Sequence, residues 1–204
     1  MSSLVNKVPL TERIAEKLIS KERFQEDEES YEKVKYGMEV ILINTMKIGL
    51  VYLVSLLMGV FFETLIVHFS FLIVRRYSFG LHALKSLNCT LISLLVFVAG
   101  PFFLRDVSSS NLFVLIIFAI IVLNIFLYAP ADTESLPLLG AENRKMLRNK
   151  AVLCTLLLMG VTLFIPFSEI KTLILFGAFY QMVCIHPLTY KLLKRRRNSY
   201  EIYE

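Results

Sequence analysis

Cysteine is scarce in this chain, with Cys89, Cys154 and Cys184 the only three among 204 residues. An odd count, without Cys-x-x-Cys spacing or histidines at zinc-ligand intervals, implies neither a disulfide framework nor a structural metal. No metal and no cofactor is expected. A Walker loop, Gly-x-Gly-x-x-Gly and His-Glu-x-x-His are also missing, so nucleotide and zinc-peptidase chemistry lack their usual signatures. Charge is thin over long stretches: charged residues are 19% of the chain and gather in residues 1–39, 75–85, 130–150 and 191–204. The first 39 residues are too charged to hold the apolar region of a secretory signal, so no cleavage is expected there.

What fills the gaps between those clusters is apolar. Hydrophobic residues make up 56% of the chain, and the mean hydropathy of +0.63 exceeds what a water-soluble domain around one core requires. A membrane span takes roughly 20 apolar residues, with about 17 still workable. By that ruler the fold is all-α, a polytopic membrane helix bundle of about six spans. Residues 40–74 form the first two, divided near 59–63. Residues 86–104, 111–129, 151–167 and 172–188 form the rest, with Gly100, Pro101 and the polar stretch 105–110 parting the third from the fourth.

Basic loops resist translocation, so Lys and Arg counts set orientation. Residues 1–39 carry seven, 75–85 three, 130–150 four and 191–204 five, whereas the alternate loops carry none, one and one. Six spans with both termini cytoplasmic place every rich loop inside. The domains expected are a cytoplasmic amphipathic arm (1–39), a six-span domain (40–190) and a basic cytoplasmic tail (191–204). In the arm, Leu10, Ile14 and Leu18 recur every four residues, as in a helix lying on a membrane surface. The run Glu26, Asp27, Glu28, Glu29 reads as a solvated turn. The tail's Lys191, Lys194, Arg195, Arg196 and Arg197 suit anionic membrane lipids rather than nucleic acid.

His82 and Cys89 are the one His and Cys that meet in a polar setting. A thiol becomes a good nucleophile as thiolate, and an imidazole is the commonest base for that task. On an unbroken helix seven residues rise about 10.5 Å, beyond hydrogen-bond reach, so a helix must start between them. Ser86 as N-cap would leave Cys89 in the first turn, where free N–H groups favour a thiolate, and Gly80 would let His82 fold back. Taken alone, such a pair is more often a packed Cys and an interfacial His than a catalytic dyad.

The wider pattern is more specific. Arg75-Arg76, three residues, Gly80, one residue, His82-Ala83, five residues and Cys89 resemble the accessory gene regulator protein B family. Tyr128-Ala129-Pro130-Ala131-Asp132-Thr133, followed by Pro137, is a second match. The resemblance implies a membrane cysteine endopeptidase with His82 and Cys89 at the catalytic positions. Its partner would be a small amphipathic propeptide, cut and cyclised into a thiolactone quorum-sensing signal. Arg75, Arg76 and Gly80 are the expected substrate-binding residues, Asp132 or Asn88 would orient the base, and a homodimer is among the expected assemblies.

His68, Glu63 and Lys47 lie in the spans and support a rival reading as a small carrier or channel, since intramembrane ionisable groups mark transport paths. The packing reading of His68 is a helix contact. Cys154 and Cys184 read as packing residues, and His186 points away from Cys184 two positions earlier.

Overall fold

The computed structural model describes residues 14, 18, 19, 27–81, 86–134 and 136–204, and all elements among them are helical apart from two isolated bridges. Leu10 and most of the amphipathic arm lie outside the described residues. The chain divides into two compact units, Met1–Leu53 and Val54–Glu204.

The first unit supplies most of α1 (Glu28–Leu57). Its start corrects the reading of the acidic run as a mere turn, because Asp27 caps the helix. The Ser30 hydroxyl donates to Asp27 Oδ2 at 2.6 Å and the Ser30 amide to Oδ1 at 3.1 Å. These two bonds, hydroxyl first, hold the Asp27 carboxyl below its ordinary value. Glu28 and Glu29 then sit in the first turn, where the helix dipole favours them.

The second unit opens with the end of that helix, where sequence places the break. Gly59, in the left-handed conformation at φ 68, donates to Leu56 O, and Val60 donates to Ser55 O, the paired bonds of a Schellman stop. Then follow α2 (Phe61–Ser78), α3 (Ser86–Leu94), a π turn (Leu95–Ala99), α4 (Gly100–Leu104), α5 (Asn111–Tyr128), α6 (Ala141–Phe164), α7 (Ser168–Ile185), α8 (Pro187–Leu192) and a 3-10 turn (Ser199–Ile202).

Two elements differ from the sequence expectation. Pro101 does not end the third span but stays inside it. A proline removes the donor that would serve the carbonyl four residues back, here Phe97. The π turn loosens the ladder at that point, and the Thr64 hydroxyl of α2 donates to Phe97 O at 2.6 Å instead. The expected 130–150 loop is also half helix, since α6 begins at Ala141 and carries its basic residues into the apolar run on one axis.

Among the described residues, five helices are long and apolar enough to cross a membrane: α1, the Leu87–Leu104 stretch, α5, α6 and α7. α2 has 18 residues but carries Glu63 at one end and Arg75 and Arg76 at the other. α7 is the inner helix, packed against α2, α4, α5 and α6. Gly177 permits the closest approach, for a Cβ there would lie 2.4 Å from Val67 O of α2. Apolar side chains face outward instead, among them Phe164 (91% exposed) and Leu123 (57%), as lipid contact requires and water solubility forbids.

Candidate functional site

The site is built where the chain leaves α2. Arg75 and Arg76 are not loop residues but its last turn, where cations complement the helix dipole. Phe79 then turns the chain at φ 54 and Gly80 at φ 112. Two neighbours hold the resulting stem. On one side Ala131 N–H donates to Ser78 O (2.9 Å) and Gly80 N–H donates to Ala131 O (2.8 Å), joining the two sequence motifs by a short parallel bridge. On the other, Leu81 N–H donates to Cys184 O of α7 at 3.1 Å.

Side chains complete the clamp. Gln181, fully buried, donates from Nε2 to Ser78 Oγ (2.8 Å) and Phe79 O (2.5 Å). Its Oε1 accepts from Arg75 Nη1 at 3.3 Å. Arg75 Nη2 donates to Leu81 O (3.3 Å) and faces Gly80 O (3.5 Å), while the guanidinium lies over the Phe71 ring. Leu81 is thus fixed through both its amide and its carbonyl, one residue before His82. His82 itself lies outside the described residues, as do 83–85, so the His82–Cys89 geometry is not described. Cys89 is the fourth residue of α3 and half-buried, and Asn88 beside it is exposed.

Of the proposed substrate residues, Arg75 is committed to the stem, whereas Arg76 is exposed beside Tyr77. Lys150 of α6 faces the same ring at 5.8 Å. Gly80 has its N–H and C=O engaged and no room for a side chain, so it serves the clamp. Asp132 is 2% exposed. Its Oδ2 accepts from Tyr200 N–H at 2.9 Å and its backbone O from the Tyr190 hydroxyl at 2.9 Å.

Sequence reasoning passed over Gln181 and Tyr180. The Tyr180 ring packs 5.3 Å from Phe71 and 5.9 Å from Phe97. A glutamine and a tyrosine inside an apolar helix were the available signal, since buried polar groups need partners. His68 stacks 4.7 Å from the Phe97 ring and is 9% exposed, in keeping with a packing contact. Of the tail's five cations, Lys191, Lys194 and Arg196 are exposed, but Arg195 and Arg197 turn back onto the 128–134 segment, which corrects the picture of a free lipid-binding run.

Helices long and apolar enough to cross a bilayer, with apolar side chains facing outward, mark an all-helical membrane protein. The family model described as Accessory gene regulator B matches residues 11–185, and the chain belongs to that family. It is 59% identical to an AgrB-like protein of Listeria monocytogenes serovar 1/2a over 204 residues, all of both chains. An AgrB-like protein of Clostridium acetobutylicum is 43% identical over 84% of this chain and 82% of its own. The accessory gene regulator protein B of Staphylococcus intermedius is 33% identical over 76% of this chain and 82% of its own. No solved structure matches.

Proposed function

We propose that this member of the accessory gene regulator B family is a membrane cysteine endopeptidase of peptide quorum sensing. Its substrate is a small amphipathic propeptide, cut on the C-terminal side of the signal sequence. Cys89 thiolate adds to the scissile carbonyl, the C–N bond breaks, and His82 gives its proton to the departing amine. The N-terminal part stays as a thioester on Cys89. The propeptide's own Cys thiol, deprotonated by His82, then attacks that thioester, and Cys89 leaves as thiolate with a thiolactone released. One thioester replaces another, so this step needs no ATP.

The observation that supports this reading most is the clamp on Leu81, held from α2 and α7. Leu81 immediately precedes His82, and its bonds fix the backbone from which the chain continues to that residue. The test uses purified enzyme in bilayers. Intact propeptide is expected to give a macrocyclic thiolactone, and a propeptide with its ring Cys replaced by Ala is expected to leave a covalent adduct on Cys89 by intact mass. Rapid turnover of that variant to a linear acid, with no adduct, refutes the acyl-transfer route.

The two arginines divide the work. Arg76, with Lys150 across Tyr77, faces the substrate, and Arg75 holds the stem through a fork that lysine lacks. Arg76→Gln is expected to raise KM severalfold with kcat kept, and Arg75→Lys to lower kcat about tenfold with KM kept. Equal effects of both on KM would count against this division.

Counting α2, the helices make six spans, with both termini and the active loop on the cytoplasmic side of the cell membrane, lipids around them and a second copy as a partner. This orientation follows from the Lys and Arg distribution. An impermeant maleimide is expected to label Ser108→Cys on intact cells and to miss Glu142→Cys, both exposed positions. Labelling at 142 would reverse the orientation.

A further inference from the structure

The chain after α8 lies against the second motif and touches it at four places. Arg197 Nη2 donates to Tyr128 O at 2.9 Å with its guanidinium over the Tyr128 ring. Tyr200 N–H donates to the buried Asp132 carboxylate. Arg196 N–H donates to Glu134 Oε1 at 3.0 Å, and Arg195 Nε lies 3.5 Å from Glu134 Oε2. Glu204 then closes the far end. Its carboxylate accepts from Arg144 Nη1 (2.7 Å) and Nη2 (2.9 Å), a bidentate pair, and from Gly140 N–H at 2.6 Å. The Arg144 guanidinium in turn covers the Tyr200 ring at 3.7 Å.

We propose that residues 195–204 are a positioning strap for the active centre, holding Ala131 and Asp132 on the stem of the loop that carries His82. The inference rests on the assignment of His82 and Cys89 made above. Ala131 has its N–H and C=O on Ser78 and Gly80. The next residue, Asp132, has its carbonyl and carboxylate on Tyr190 and Tyr200. One side of this two-residue step is therefore the stem, and the other is held by α8 through Tyr190 and by the strap through Tyr200. A carboxylate this deeply buried stays there only with its donors in place. With the Tyr200 amide gone, water competes for Asp132, and the neighbouring bridge to Gly80 loses its support. Burial, and after it Asp132, pushes the Tyr190 phenol above its ordinary value, so it remains a donor. The test reads the thiol itself.

Tyr200→Pro removes the N–H that Asp132 accepts, and Tyr200→Ala keeps it while removing the ring under Arg144. The readout is the pH profile of Cys89 alkylation by iodoacetamide, with full-length protein in bilayers and Cys154 and Cys184 replaced by Ala. A strap that positions His82 is expected to make the Tyr200→Pro profile move from the wild-type one toward that of His82→Ala. Propeptide kcat is expected to fall about 10- to 100-fold with KM kept. Tyr200→Ala is expected to move both less. Glu204→Gln leaves the backbone untouched and guards against a misfolded proline variant; it is expected to shift the profile in the same direction. Wild-type profiles in both Tyr200→Pro and Glu204→Gln at normal abundance overturn the strap. Cleavage surviving in Cys89→Ala would instead overturn the underlying reading and leave the strap result to stand or fall by the alkylation data.

Discussion

Cys89→Ala is expected to abolish propeptide cleavage while the protein stays inserted at normal abundance. Loss of the nucleophile in a peptidase whose base and nucleophile act as a unit costs on the order of 10⁶ in kcat. In the proposed mechanism His82→Ala is expected to cost almost as much, since the thiol would then lack its base and the leaving amine its acid. Cys89 is half-buried near the start of α3, so its replacement removes few packing contacts. The other two thiols separate chemistry from packing. Cys154 lies within α6, and Cys184 offers the stem only its backbone carbonyl, which Ala supplies equally well. Cys154→Ala and Cys184→Ala should therefore cleave within about twofold of the wild type. The measurement is mass spectrometry of the propeptide after incubation with each variant in bilayers. Cleavage by Cys89→Ala would show that another group is the nucleophile.

What the sequence made legible follows from the range over which each signal acts. The break near Gly59 was readable because a glycine between apolar runs reports on its own backbone, and a Schellman stop stands there. The two motifs were readable as a resemblance, but nothing in either said that Ala131 would pair with Ser78 and Gly80 about 50 residues earlier. Hydrophobic periodicity carries no information on such pairings. The same limit hid the tail. Arg195 and Arg197 look like their exposed neighbours in composition, and only tertiary partners at Glu134 and Tyr128 distinguish them. Pro101 misled for a related reason: its local rule is to break a helix, and a hydroxyl from another helix, Thr64, satisfies the carbonyl it frees. Arg75 was legible as a member of the motif but not as a strut, because its partner Gln181 is 106 residues away.

Gly80→Ala is expected to lose propeptide cleavage by about 100-fold or more although it alters no reacting group. At φ 112 Gly80 occupies backbone space that side-chain-bearing residues rarely enter, at a cost of order 1–3 kcal/mol. A Cβ there would also lie 2.9 Å from Ile185 Cγ2 and 3.0 Å from Cys184 O. The methyl of Ile185 can shift by rotation, but the carbonyl belongs to the backbone of α7 and is the acceptor for Leu81 N–H. The variant must therefore either strain α7 or move the stem outward. Outward movement breaks the Leu81 bond, stretches Gly80 N–H away from Ala131 O and displaces the backbone from which the chain continues to His82. Displacements of about 1 Å at a catalytic group cost roughly 10²-fold. Gly160→Ala is the matched control, a helical glycine of α6 with nothing within 4 Å of the added methyl, and it should cleave normally. Both variants are measured for cleavage and for Cys89 alkylation at neutral pH, which should slow in Gly80→Ala as is expected of His82→Ala. Wild-type cleavage by Gly80→Ala would mean that the stem tolerates displacement, and the clamp between α2, Ala131 and α7 would then have no part in holding the base.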